Sequence, residues 1–139
     1  MADSSSSGQG APERILADRF RQAIASAFAS DSDLLRRGAQ VNSCCLIEIG
    51  SEQLVLTIRN GRPTIAERVH LLGSWEFAIR AGVDAWFALW QPVPKAGWHD
   101  LFALTKRGAM RIEGSLQPFM AHLQYFKDLV TLPRERGPR

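Results

Sequence analysis

Apolar residues along this chain fall first at helical spacing and then at strand spacing. From Arg14 onward Ile15, Leu16, Phe20, Ala23, Ile24, Ala27 and Phe28 recur three and four apart, which predicts an amphipathic helix ending near Ser30. Residues 31–38 read as a short helical turn closed by Gly38, since glycine accepts the left-handed conformation that stops a helix. The period then drops to two. Cys45, Ile47 and Ile49 fall on one face over 41–49, and Leu54, Leu56 and Ile58 on one face over 53–59, which predicts two successive strands. Residues 50–52 suit a hairpin turn, Asn60-Gly61 is a strong turn signal, and Pro63 keeps the second strand from simply running on.

Trp75, Phe77 and Ile79 alternate with Glu76, Ala78 and Arg80, so a further strand has one bulky face and one mostly polar face. After Gly82, the spacing of Val83, Trp86, Phe87 and Trp90 predicts a helix that must end before Pro92 and Pro94. Trp98, Leu101, Phe102 and Thr105 predict another, finished by Lys106, Arg107 and Gly108. A short strand over 109–113 buries Met110 and Ile112. Finally Ser115 is placed to cap a helix with Pro118 in its first turn and an apolar stripe of Leu116, Phe119, Met120, Leu123, Phe126 and Val130. The order of elements points to an α+β domain with a mostly antiparallel sheet of about five strands backed by helices.

Composition narrows this to one domain. The 139 residues are 45% hydrophobic and 22% charged, as in an ordinary globular protein, and no apolar run approaches the ~18 to 20 residues of a membrane-spanning helix. Residues 1–13, with a serine tract and two glycines, read as a flexible tail without the pattern of a secretory signal. The domain is expected over 14–132, followed by a basic flexible tail over 133–139, and a cytoplasmic location is the default. The net charge of +3 owes much to Arg134, Arg136 and Arg139 in that tail, and no basic stripe or reader motif points to nucleic acid. Cys44 and Cys45 are adjacent, point to opposite faces of a strand, and read as reduced structural thiols.

Four tryptophans and seven phenylalanines, most of them between Trp75 and Phe126, outweigh the single tyrosine. Trp75, Phe77, Trp86, Trp90, Trp98, Phe102, Phe119, Met120 and Leu123 are the candidate lining of an apolar pocket. The competing reading is that each simply fills a core. Three tryptophans around a proline-rich connector favour the pocket, because they are hard to bury together. Glu76, Arg80, His122 and Gln124 are candidates for a polar group at its mouth.

Catalytic signatures are missing from the sequence. His99-Asp100 lie side by side, which on a helix turns them about 100 degrees apart, so this pair reads as a helix start rather than a base and its orienter. His70, His99 and His122 lack metal-ligand spacing, and neither a phosphate loop nor a nucleophile elbow occurs. No metal or cofactor is expected. A lone carboxylate, Glu48, Glu76 or Glu113, could serve isomerase or dehydratase chemistry, but each also reads as a solvent-facing charge of a strand. A pure protein-interaction module is the third class.

Several of these segments carry a resemblance. Arg59-Asn60-Gly61-Arg62-Pro63, Trp75-Glu76-Phe77-Ala78-Ile79-Arg80, Gly82-Val83-Asp84-Ala85-Trp86, Gly108-Ala109-Met110-Arg111-Ile112-Glu113-Gly114 and the Leu116 to Phe126 helix resemble the sterol carrier protein type two family over roughly residues 41–130. The resemblance implies a mostly antiparallel five-stranded sheet backed by helices, with a lipid-accommodating tunnel between them. It also implies a noncatalytic carrier, or an accessory domain that presents a hydrophobic ligand to a partner enzyme, with transient membrane contact open to it. The chain departs from the family at Gln91 to Trp98, where two prolines and an added tryptophan replace a short linker at the expected cavity rim.

Overall fold

The computed structural model describes residues 2–29, 32–66 and 74–134, with side chains from Pro12 onward; His70 and residues 135–139 of the expected tail lie outside the described residues. Helices α1 (Ala2–Ala27) and α2 (Asp33–Arg37) precede strands β1 (Ser43–Ile49), β2 (Glu52–Arg59) and β3 (Arg62–Ile65). Strand β4 (Phe77–Ala81) leads into α3 (Val83–Leu89) and α4 (Leu101–Lys106). Strand β5 (Met110–Gly114), α5 (Leu116–Ala121) and α6 (Leu123–Val130) follow. The five strands form one mixed sheet in the order β3-β2-β1-β4-β5, antiparallel throughout except for the central β1–β4 pair.

The period-two pattern decides which face is dry. Cys45, Ile47 and Ile49 of β1, Leu54, Leu56 and Ile58 of β2, Phe77 and Ile79 of β4 and Met110 of β5 are buried on one face. Against them pack Leu16, Phe20 and Ile24 of α1, Trp86 and Leu89 of α3, and Phe126 and Leu129 of α6, all in one core. Cys44 and Cys45 are both free thiols on opposite faces. Among the described residues no helix is long and apolar enough to cross a membrane.

Several boundaries differ from the sequence-based expectation, each for a physical reason. The helix expected from Arg14 reaches back to Ala2, through the stretch expected as a tail; Pro12 and the serines and glycines before it are poor helix formers, which is why the pattern starts late. The second strand ends at Arg59, as expected, and Pro63 sits in a third strand, β3, tolerated there because β3 is an edge of the sheet. At the other end, Pro133 is buried and Arg134 is bound into the fold, although both were expected in the flexible tail. Arg19 donates to Pro133 O (3.0 Å), and Arg134 donates to Leu89 O (2.8 and 2.9 Å) and His99 O (2.8 Å).

The single helix expected from Leu116 to Val130 is two, broken at His122 (φ −129°, ψ 43°). The break turns α5 so that Phe119 meets Phe77 edge-on at 5.5 Å while Leu116 and Met120 stay exposed. Gly38 does close α2, but at φ −95° it is not left-handed. Its lack of a side chain matters for space: a Cβ there would lie 2.3 Å from the Tyr125 ring. Tyr125 in turn donates its hydroxyl to Gly61 O (2.6 Å), in the Asn60-Gly61 turn where both residues have positive φ, 52° and 82°.

Candidate functional site

Helix α4, strand β5 and helix α5 leave between them a groove of about 420 Å³. Its floor is Met110 and Ile112, carried inward by the alternation of β5, together with Phe119. Its walls are Phe102 from α4 and Leu116 and Met120 from α5, and its rim carries Thr105, Arg111 and Glu113. The three wall residues are 39%, 44% and 53% exposed, an unusual cluster of large apolar side chains in contact with solvent.

Of the nine residues expected to line a pocket, the groove brings together Phe102, Phe119 and Met120. Phe77 lies beneath, edge-on to both Phe119 (5.5 Å) and Phe126 (5.1 Å). Trp86 and Trp90 are 0% and 1% exposed, in contact with one another at 5.6 Å, and Trp90 stacks on Phe20 at 6.1 Å. Each indole has a backbone acceptor, Glu48 O for Trp86 (2.9 Å) and Val130 O for Trp90 (2.7 Å). Trp75 is half-buried just before β4, and Leu123 is half-buried against the core.

Trp98 belongs to a second groove of about 450 Å³, with Phe87 of α3 and with Val93 and Lys95 of the proline-rich connector. Arg107 lies 4.5 Å from the Trp98 ring and donates Nε–H to Gly97 O (3.0 Å), which fixes the connector against the end of α4. Met110, Ile112 and Leu116 escaped the sequence-based pocket set because their periodicity marks an inward face without saying whether that face is filled. Arg111 at the rim escaped it too.

The four expected mouth residues do not line the α4–β5–α5 groove. Arg80 is held by Glu48 (2.6 Å) and Glu113 (2.8 Å) on the other face of the sheet, and Glu76 accepts from the Ser43 hydroxyl (2.6 Å). Gln124 donates to Asp128 (2.9 Å), and His122 borders a separate hollow with Arg37 and Tyr125. The three carboxylates considered for catalysis are therefore all engaged, Glu48 and Glu113 by arginine. Burial pushes the Cys45 thiol up, with Cys44 and Glu76 adding to it, so it remains a thiol at neutral pH and no nucleophile.

Asp100 is the N-cap of α4, its Oδ1 accepting from Ala103 N–H at 2.9 Å, and its other oxygen is 3.4 Å from Lys127 Nζ. Partial burial pushes the carboxyl up, but the Ala103 hydrogen bond, Lys127 and His99 outweigh it and hold the group below its ordinary value of 3.8. A lowered folded-state value means that Asp100 stabilises the protein above the unfolded value and loses that contribution as pH falls through the folded one. Asp100→Ala is expected to cost about 1 kcal/mol at neutral pH as a lost cap. Asp100→Asn keeps a capping oxygen but should show a shallower loss of urea stability between pH 5 and pH 3 than the parent. Equal slopes would mean that the carboxylate is not held by these partners.

No family model and no curated protein sequence matches the chain. Solved structures do. A sterol carrier protein 2 crystal structure is 16% identical, with a TM-score of 0.62 over 85% of this chain and 95% of that one. A UbiJ-SCP2 ubiquinone synthesis protein is 15% identical, with a TM-score of 0.56 over 86% and 95%. Sterol carrier protein 2 from Yarrowia lipolytica in its apo form is 9% identical, with a TM-score of 0.51 over 86% and 89%. With TM-scores of 0.51 to 0.62 over 85–86% of this chain and 89–95% of those domains, the chain has the sterol carrier protein 2 fold, with its five-stranded, mostly antiparallel sheet and helices.

Proposed function

We propose that this protein is a noncatalytic binder of a hydrophobic or amphipathic small molecule, whose apolar part lies in the groove between α4, β5 and α5. The observation that carries this reading is the exposure of Phe102, Leu116 and Met120 around an apolar floor. Soluble domains rarely leave such residues clustered without a use. The groove's volume of about 420 Å³ also falls within the ~300 to 1,000 Å³ of small-molecule sites. An acyl chain of palmitate length buries about fourteen methylene groups, roughly 11 kcal/mol gross at ~0.8 each. Association costs at least ~4 kcal/mol. The difference corresponds to affinities of about 10 micromolar or weaker. Arg111 at the rim suits the carboxylate end of an amphipathic guest. Delivery of the guest to a partner enzyme is the role that follows from a carrier without catalytic groups of its own.

The test is titration of a fluorescent fatty-acid analogue. Phe102→Asp and Met120→Asp alter exposed side chains, so they should fold normally while losing about tenfold or more in affinity, the equivalent of ~1.4 kcal/mol. Unchanged uptake by both folded variants would remove the groove from consideration as the ligand site.

A further inference from the structure

Helix α3 buries Ala85, Trp86 and Leu89 and turns Asp84, Phe87, Ala88 and Gln91 outward, where the returning connector adds Val93, Lys95 and Trp98 to form the second groove. Val93 is 87% exposed, held between Pro92 and Pro94, and Phe87 is 53% exposed. A side chain so fully in water projects from the groove instead of closing it. A small guest seated in the groove leaves Val93 wet; an extended apolar medium does not.

Three features of this surface suit a lipid interface. Proline lacks an N–H, so the tip carries fewer unpaired backbone donors into an apolar medium than an ordinary loop does. Trp98 is half-buried, and its indole N–H, unlike those of Trp86 and Trp90, has no acceptor among the described residues. A ring with an apolar body and a free donor is the side chain enriched where hydrocarbon meets head groups. Arg107 packs on that ring and bonds Gly97 O, so the connector is already ordered and loses little freedom on docking. The charges match as well. Lys95 and Arg107 have no acidic partner and Asp84 no basic one among the described residues, so a head group with both a phosphate and an ammonium satisfies each sign.

We propose that the connector and the outer face of α3 dock on the surface of a phospholipid bilayer with zwitterionic head groups. Val93 and Phe87 enter its apolar border, Lys95, Arg107 and the Trp98 indole meet phosphates, and Asp84 meets the ammonium groups. Two apolar side chains make this a weak and reversible contact, at most about 10⁴ M⁻¹, comparable to a single acyl anchor. The docking does not rest on the α4–β5–α5 groove holding a guest, and the two grooves share no lining residue.

The experiment uses the full chain and phosphatidylcholine vesicles, with cosedimentation for binding and lipids brominated along their acyl chains to quench tryptophan fluorescence. The parent is expected to sediment with the vesicles and to be quenched. Trp98→Phe should still sediment but lose most of the quenching, because Trp86 and Trp90 are buried in the core. Val93→Asp and Phe87→Asp change exposed side chains and should each weaken binding about tenfold or more. Asp84→Lys should raise the affinity for phosphatidylglycerol relative to phosphatidylcholine about fivefold or more. No binding, full binding by both aspartate variants, quenching that survives in Trp98→Phe, or an unchanged lipid ratio in Asp84→Lys overturns the proposal. So does competition by dissolved glycerophosphocholine, which would make the groove a small-molecule site. Should the aspartate variants not fold, the comparison of quenching in the parent and in Trp98→Phe decides. Uptake of the fluorescent fatty acid without vesicles reports on the α4–β5–α5 groove alone, and Val93→Asp should leave it unchanged.

Discussion

Replacing Trp90 with alanine is expected to remove roughly 3 to 5 kcal/mol of stability, read as a shift of the urea unfolding midpoint. The indole is 1% exposed, stacks on Phe20, touches Trp86, lies under the Arg19 guanidinium at 5.5 Å and donates to Val130 O. Truncation opens a cavity among three elements and leaves a buried carbonyl unpaired. Against a typical total of ~5 to 15 kcal/mol the loss is large enough to leave part of the population unfolded at room temperature. Trp90→Phe restores most of the ring and isolates the hydrogen bond, and should lose only ~1 to 3 kcal/mol. The pair also separates a packed tryptophan from one that borders empty space. If Trp90→Ala cost less than about 1 kcal/mol, the ring would be facing a void that collapses or fills with a guest, and the packed assignment would fall.

Gly61→Ala should be nearly as damaging, at about 3 to 5 kcal/mol, the upper end for a single substitution. Part is conformational, since a side chain at φ 82° costs ~1 to 3 kcal/mol in itself. The rest is space: the new Cβ would lie 2.4 Å from Gly38 O, and Gly38 cannot retreat because Tyr125 presses on its other side. Gly82→Ala is the control. Nothing lies within 4 Å of its would-be Cβ, and as an N-cap without a side-chain bond it should lose no more than about 1 kcal/mol. A comparable fall in Tm for both would show that the contact between Gly38, Gly61 and Tyr125 is not a point of strain.

Period and turn chemistry carried most of the fold. Ile47 and Ile49, Leu54 and Leu56, and Phe77 and Ile79 alternate as the sheet requires, and Asn60-Gly61 makes its turn with the expected dihedrals. What periodicity does not encode is the pairing of β1 with β4, because parallel neighbours leave no local turn between them. Nor does it encode the break at His122, where each half of the stripe keeps helical spacing and only the shared contact of Phe119 and Phe126 with Phe77 requires two axes. The aromatic set was legible as a set but not in its division. Trp86 and Phe87 are adjacent in the same helical pattern, yet one is fully buried and the other 53% exposed, a difference fixed by what packs on α3. Met110 and Ile112 were read as buried without a sign that the space above them stays open.

The central parallel pair bears on how the chain must come off the ribosome. The meander of β1, β2 and β3 is complete once Ile65 has emerged, but the inner side of β1 waits for residues 77–81 before its backbone is matched. During that interval the nascent chain displays an apolar strand with a bare rim, the kind of surface that neighbouring polypeptides or chaperones seize.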